Sequence, residues 1–361
     1  MTNVHPGRSG LLLSAQATAA LDIGEAAQAA ALAGEAAAAF LREQGEPSFD
    51  APNMLRTKAQ AHLDLGDHGA ATVTLDRAQA LAEPLPPGEP FDRLRVHLGR
   101  MRGEALLASG DRPGARKALT AALALCEASI GSQDGDAAVL HNGLGIVGKF
   151  SGDFEAAADH YARAGAIFAQ IGTSDRVLGA LHHNLGGLAH SRGDVVTAER
   201  ETRRALDLHT AALGPAHPDT TADRGQLGGI LSELGRHDEA ERELRRTAND
   251  WTAAYGADHL EVAIAQTSLG AALHRAGRLK EADAAYRDGL AARERRQGTG
   301  HPELAPTLLN LSRLCEQRGD RDEAVSLARR AASNLEGAVT DDHPVLIATR
   351  QRLAELDSPA R

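Results

Sequence analysis

Apolar residues along the chain keep helical spacing, and the spacing restarts at regular distances. Leu185, Leu188 and Ala189, then Leu227, Ile230 and Leu231, then Leu269, Ala272 and Leu273 fall at i, i+3 and i+4, one face of a helix each time. Every such stretch ends at a glycine: Gly24, Gly66, Gly110, Gly152, Gly193, Gly235, Gly277 and Gly319, at intervals of 42, 44, 42, 41, 42, 42 and 42. A charged residue follows each one, most often the aspartate seen as Asp67, Asp111, Asp153 and Asp194. Five residues after the glycine stands an alanine (Ala29, Ala71, Ala115, Ala157, Ala198, Ala240, Ala282, Ala324), and seven before it a small residue (Ala17, Ala59, Gly103, Gly145, Gly186, Gly228, Gly270, Ser312). Glycine takes the left-handed conformation that closes a helix C-terminus. Aspartate just after it suits an N-cap of the next helix. Each unit is therefore predicted to be an antiparallel helix pair, with small residues on both sides of the turn so that the backbones cross closely.

One such pair cannot bury its own faces, so the units must stack. The prediction is an all-α solenoid of about eight helix pairs. The pattern is weaker at the start, where Gln16, Lys58 and Arg102 stand at a position later held by leucine and Pro47, Pro52, Pro84, Pro86, Pro87 and Pro90 interrupt the loops. Residues 1–91 read as two divergent pairs and 92–342 as six regular ones. In 343–361, Pro344 to Leu356 keeps phase with no partner helix after it, as a capping helix would.

With Leu144-Gly145, Leu185-Gly186, Leu227-Gly228 and Leu269-Gly270 in place, the chain resembles the tetratricopeptide repeat. That repeat carries this dipeptide, a turn glycine and two alanines in its second helix. The second alanine recurs as Ala36, Ala78, Ala122, Ala164, Ala205 and Ala331, with Thr247 and Gly289 departing. The units are longer than the usual length of about 34 residues. Loops such as Gly214-Pro215-Ala216-His217-Pro218 and Gly298-Thr299-Gly300-His301-Pro302 make them similar to the long repeats of kinesin light chains and bacterial relatives. Asp342-His343-Pro344 and the loop at His259 are partial copies.

The resemblance implies a right-handed superhelix whose first helices face the concave surface. The side chains 10, 9, 6, 3 and 2 positions before each turn glycine would point into it. The implied groove contains Asn142 and Lys149; His183, Asn184, Gly187 and His190; Gln226, Gly229 and Glu233; Ser268, His274 and Arg275; and Asn310 and Arg313. Asn184, Gln226, Ser268 and Asn310 share one position and form a ladder of groups that can both donate and accept. Related repeats use asparagine there to hold an extended peptide backbone. Gly187, Gly229 and Ala271 leave the floor bare. The Lys–Asn start of the carboxylate clamp used by chaperone-binding relatives is missing from every repeat.

Charge and composition narrow the function. A formal net charge of −10 argues against broad contact with nucleic-acid phosphates. No apolar run approaches the ~20 residues that span a bilayer, and Leu11-Leu12-Leu13 is too short for a signal-peptide core, so the expected compartment is the cytoplasm. Cys126 and Cys315 are too few for a disulfide framework or zinc site. Gly143-Leu144-Gly145-Ile146-Val147-Gly148 matches G-x-G-x-x-G but sits inside a first helix, without the strand that a dinucleotide site needs. His217, His259, His301 and His343 recur one per loop, too far apart to share a metal, and suit orientation of the loop before the next helix. His183 and His190 share a helix face with no acid or cysteine on it.

The reading is a non-enzymatic interaction scaffold that takes a peptide segment or partner protein in the groove and needs no cofactor or metal. An alternative is a regulatory sensor for a small molecule or short peptide. A weaker one is chemistry built on His183 and His190. The open array also permits self-association into a homo-oligomer.

Overall fold

The computed structural model describes residues 7–44, 48–337 and 344–357, and every regular element among them is helical. They form two compact units meeting at residues 174 and 175. The first contains four pairs: α1 (Gly7–Asp22) with α2 (Ala26–Gln44), α3 (Asp50–Asp64) with α4 (His68–Ala82), α5 (Glu89–Ala108) with α6 (Arg112–Ser129), and α7 (Gly135–Phe150) with α8 (Phe154–Ile171). The second contains α9 (Asp175–Ser191) with α10 (Val195–Leu213), α11 (Pro218–Glu233) with α12 (His237–Tyr255), and α13 (Leu260–Arg275) with α14 (Leu279–Gln297). A short 3-10 turn at Pro302–Leu304 leads into α15 (Ala305–Gln317) with α16 (Arg321–Leu335), and α17 (Pro344–Asp357) ends the stack. His343 lies outside the described residues.

The periodic residues set the helix ends. All eight turn glycines have positive φ, from 73° at Gly66 to 89° at Gly110. The peptide after the turn reaches back into the helix, as when Asp153 N–H donates to the Gly148 carbonyl at 2.9 Å. The carboxylates of Asp67, Asp111, Asp153 and Asp194 then accept from backbone N–H groups three residues on, at 2.9 to 3.3 Å. Where arginine replaces the aspartate there is no side-chain cap. Arg236 instead binds Glu239 in its own repeat and Glu199 in the preceding one; Arg278 does the same with Glu281 and Glu241.

The loop histidines also have a local task. His217, His259 and His301 are N-caps whose Nδ1 accepts from the backbone N–H two residues on, at 3.2, 3.3 and 3.3 Å. Burial, helped by Arg296, lowers the pKa of His259 and so favours the neutral ring that can accept.

Close helix crossing explains the small residues seven before each turn. A Cβ at Gly228 would lie 2.6 Å from Leu244, and one at Gly145 would lie 2.4 Å from the Tyr161 ring. In the G-x-G-x-x-G stretch, Gly148 abuts the Asp153 and Ala157 backbone, so these glycines serve packing. Both cysteines are buried as well, and burial pushes their thiols up to about 11.

Apolar cores run through each unit: Ala36 to Ala105 share one cluster, and Leu227 to Leu346 share another. Within the first unit α1, α3, α5 and α7 approach one another in series, while α2, α4, α6 and α8 do not. The second unit repeats this, with α9, α11, α13, α15 and α17 in contact and the even-numbered helices splayed apart. Each unit thus curves with its first helices on the inside.

Candidate peptide-binding face

The predicted lining falls on first helices in both units. In the first unit, Asn142 and Lys149 on α7 are half-buried, and the Lys149 ammonium sits 4.7 Å from the centre of the exposed Phe150 ring. Burial lowers the pKa of that lysine.

In the second unit the polar side chains link one first helix to the next. His190 Nε2 on α9 meets Glu233 Oε2 on α11 at 3.0 Å. Arg275 on α13 reaches the same carboxylate at 3.5 Å and the Ser232 hydroxyl at 3.4 Å. His274 Nε2 meets Gln317 Oε1 on α15 at 3.1 Å, and Arg313 donates to Asn310 Oδ1 at 3.4 Å. These rungs are half-exposed and weak, as ion pairs in contact with water are. Between them the floor is low: a Cβ at Gly229 would meet nothing within 4 Å.

The predicted amide ladder is not a uniform open row. Asn184 is only 9% exposed. Gln226 is turned into the stack, its amide donating to the Thr202 hydroxyl at 3.1 Å and the His183 carbonyl at 3.3 Å. Arg352 holds the equivalent place on α17 and leans back the same way, donating to the Ser312 hydroxyl at 3.2 Å and its carbonyl at 3.1 Å. The position nine before the turn lies on the flank toward the preceding repeat. There the small residue of that repeat (Gly186 or Ser312) leaves a gap that a long polar side chain fills. Ser268, Asn310 and Gln226 itself are half-exposed.

Beneath this face lies a polar core that the sequence reading missed. Asp223, fully buried on α11, accepts from His183 Nδ1 at 2.7 Å and His209 Nδ1 at 2.6 Å. The other nitrogen of His209 donates to the Arg176 carbonyl at 3.0 Å. Its neighbour Arg224 is buried against Asp250 at 2.6 Å and donates to the Pro215 carbonyl at 2.8 Å. No acid shares a helix face with His183 and His190, yet α11, the next first helix, supplies one to each. Among the described residues no group of three or more His, Cys, Asp or Glu side chains is arranged to hold a metal ion. Two clefts of the second unit, about 230 and 320 Å³, are lined from α12, α13, α14 and adjoining turns and include none of the predicted groove residues. No described helix is long and apolar enough to cross a membrane.

Tyrosine 286 was also missed. It rises from α14, lays its ring on Gly270 and touches His274 edge-on at 6.2 Å between ring centres. Its signal is a spacing of 16 residues, since Tyr161 stands 16 after Gly145 as Tyr286 does after Gly270.

Comparisons with known proteins agree with this architecture. Tetratricopeptide repeat profiles match residues 177–249 and 220–295, and a second such profile matches 307–341. No curated protein sequence matches the chain. Among solved structures, a Rap protein complexed with competence and sporulation factor is 14% identical over 84% of this chain and 88% of its own, with a TM-score of 0.63. NprR in complex with its cognate peptide NprX is 12% identical over 86% and 84%, with a TM-score of 0.61. The putative kinesin light chain repeats of Podosopora anserina are 19% identical over 57% and 97%, at a TM-score of 0.46.

Proposed function

The chain is a tetratricopeptide repeat protein built from long, 42-residue units, and from that premise we propose that it is a peptide-binding regulator with no chemistry of its own. The peptide, free or part of a partner protein, lies extended along the inner face of α9, α11, α13 and α15. One observation carries the reading: a floor open at Gly229 lies between rungs of half-exposed polar side chains that are paired only weakly with each other. An extended peptide needs close backbone approach and exchangeable donors and acceptors, and this face offers both. The structure of NprR in complex with its cognate peptide, which shares the fold, supports a peptide as the occupant.

The test begins with heptapeptides selected by display against the whole chain. Hydrogen exchange with a selected peptide should slow amides near the C-terminal ends of α9, α11, α13 and α15. Protection confined to α10, α12 and α14 would place the binding surface elsewhere and refute the reading.

A second reading, in which the peptide alters the pitch of the array, is favoured by the packing. Each pair in the second unit touches only its neighbours, so small rotations add up. Scattering profiles with and without the selected peptide separate the two: unchanged dimensions leave peptide binding without a change of pitch.

A further inference from the structure

Helix α1 leaves bare a face that later first helices keep covered. Within each unit, wherever one repeat follows another, the positions twelve and five before the turn glycine are buried. The cover comes from the second helix of the preceding repeat. Ala61 on α3 shares an apolar cluster with Ala26 and Ala30 of α2, Ile230 on α11 with Ala198 of α10, and Ala265 on α13 with Trp251 of α12. In α1 the same two positions are Leu12, 61% exposed, and Ala19, also exposed, and no described residue covers them. Leu11 beside them is 62% exposed. The opposite side of α1 is taken up by its own pair: a Cβ at Gly10 would lie 2.9 Å from the Phe40 ring of α2, and Ala17 and Ala20 are buried.

A terminal repeat that meets water needs a polar outer face. Helix α17 has one, with Arg350, Gln351, Glu355 and Asp357 exposed. Helix α1 does not: nothing between Arg8 and Asp22 is charged, in a chain whose net charge is −10.

We infer that α1 docks on α1 of a second copy of this chain, antiparallel across a two-fold axis at Ala15. Charge selects this occupant first. Two copies meet at a neutral stretch without the repulsion that their like net charges bring to other surfaces, and the antiparallel arrangement sets the basic start of each helix against the acidic end of the other. Shape agrees. With the axis at Ala15, Leu11 of one helix falls opposite Ala19 of the other, so a large side chain meets a small one on both sides and the helices can approach closely. Closure also agrees. The same patch on both partners gives a closed dimer, whereas stacking α1 on α17 of another copy would bury the charges of α17 and build an open filament. The inference is independent of the peptide-binding reading, whose face lies in the second unit.

One helix against one helix buries less than the roughly 1,600 Å² of a standard interface, so the dimer is expected to dissociate at about 10 µM. Sedimentation velocity on the full chain, from about 1 to 200 µM, should show monomer giving way to dimer and to nothing larger. Leu12→Glu sets like charges into the interface from both copies and should weaken association about a hundredfold. It should leave the helical circular dichroism unchanged, because Leu12 is exposed in the single chain. A monomer at every concentration, growth past the dimer, or a Leu12→Glu chain that associates like the parent overturns the inference.

A second measurement does not depend on the charged variant. Cys126 and Cys315 are buried, so an added surface cysteine can be followed by itself. Under copper-catalysed oxidation, Ala15→Cys should link chains in pairs, since the axis brings the two thiols together. Val73→Cys, at a position 71% exposed on α4, should leave them single. Equal linkage at both sites, or none at Ala15→Cys in a sample that sediments as a dimer, places the contact elsewhere and refutes it.

Discussion

Gly228 and Gly229 are adjacent in α11, yet substitution at each should act in opposite directions. A Cβ at Gly228 would press on Leu244 at 2.6 and 2.9 Å, whereas one at Gly229 meets nothing within 4 Å. Both lie inside a helix, where glycine costs about 1 kcal/mol relative to alanine and leucine only about 0.2. Gly229→Leu should therefore stabilise α11 by roughly 0.7 kcal/mol, because no packing loss offsets the gain. Over so many residues that increment moves a melting temperature by only about 1 °C. Native-state hydrogen exchange is the better assay, and α11 amides should exchange about threefold more slowly. The same isobutyl group fills the floor over which the peptide backbone is proposed to run, so affinity for a selected peptide should fall by about tenfold or more. Gly228→Ala should instead cost about 1–3 kcal/mol through overpacking. If Gly229→Leu slows exchange but leaves affinity within about twofold, a difference too small to signal a lost contact, the peptide does not cross α11. If it destabilises the helix, the floor is not open and the geometry of the face is wrong.

Three further outcomes test the frame beneath the face. Asp223→Ala strands His183 and His209 and should cost about 3–5 kcal/mol, as breaking a buried charged network does; a urea midpoint shift under a third of that size would show that water or backbone replaces the carboxylate. Tyr161→Phe removes a buried hydroxyl that has no partner and should leave stability unchanged or raise it by up to about 1 kcal/mol, read from the same midpoint. His141 and His160 face each other through their Nδ1 atoms at 3.0 Å, and burial chiefly lowers the pKa of both. His160 and Arg163 add to this at His141 against Glu127 and Asp159, and Arg163 and Arg116 add to it at His160 against Asp159 and Asp153. The folded pair therefore takes up protons at lower pH than the unfolded chain. Their contribution is complete above the unfolded value of about 6.5 and is lost as pH falls through that value and below. Denaturation at pH 7.5 and 5.5 should show a smaller acid loss in His160→Gln than in the parent, and equal losses would remove the pair from the explanation.

The frame was legible in the sequence because its signals are local. A positive φ at Gly152 and a carboxylate cap at Asp153 concern residues within one turn, and the period of about 42 residues repeats the glycine turn eight times and the cap at Asp67, Asp111, Asp153 and Asp194. The site was less legible because register fixes which flank a side chain leaves from, not how far it leans. Gln226 and Ser268 share one register and are both half-exposed, yet only the longer Gln226 is seen to reach back into the Gly186 gap. Asp223 gave no signal, since its partners lie 40 residues before and 14 residues before it, on two different helices. Tyr286 carries its signal in a spacing from Gly270, but the spacing predicts only ring packing.

The two kinds of polar contact in the second unit divide the work. Asp223 and Arg224 are buried with short bonds to their partners, so removing one partner leaves a charge that water cannot reach. They hold α9, α10, α11 and α12 in fixed register. Above them, His190, Glu233, His274, Arg275 and Gln317 pair at the edge of solvent, where each contact is worth about 0–1 kcal/mol. A peptide that displaces one such rung forfeits little and regains it in its own bonds. A stiff polar layer under a soft one lets the floor keep its shape while the side chains re-pair. Affinity at such a face then comes from the few exposed groups with little to give up, such as Arg313, which holds only the Asn310 amide oxygen at 3.4 Å.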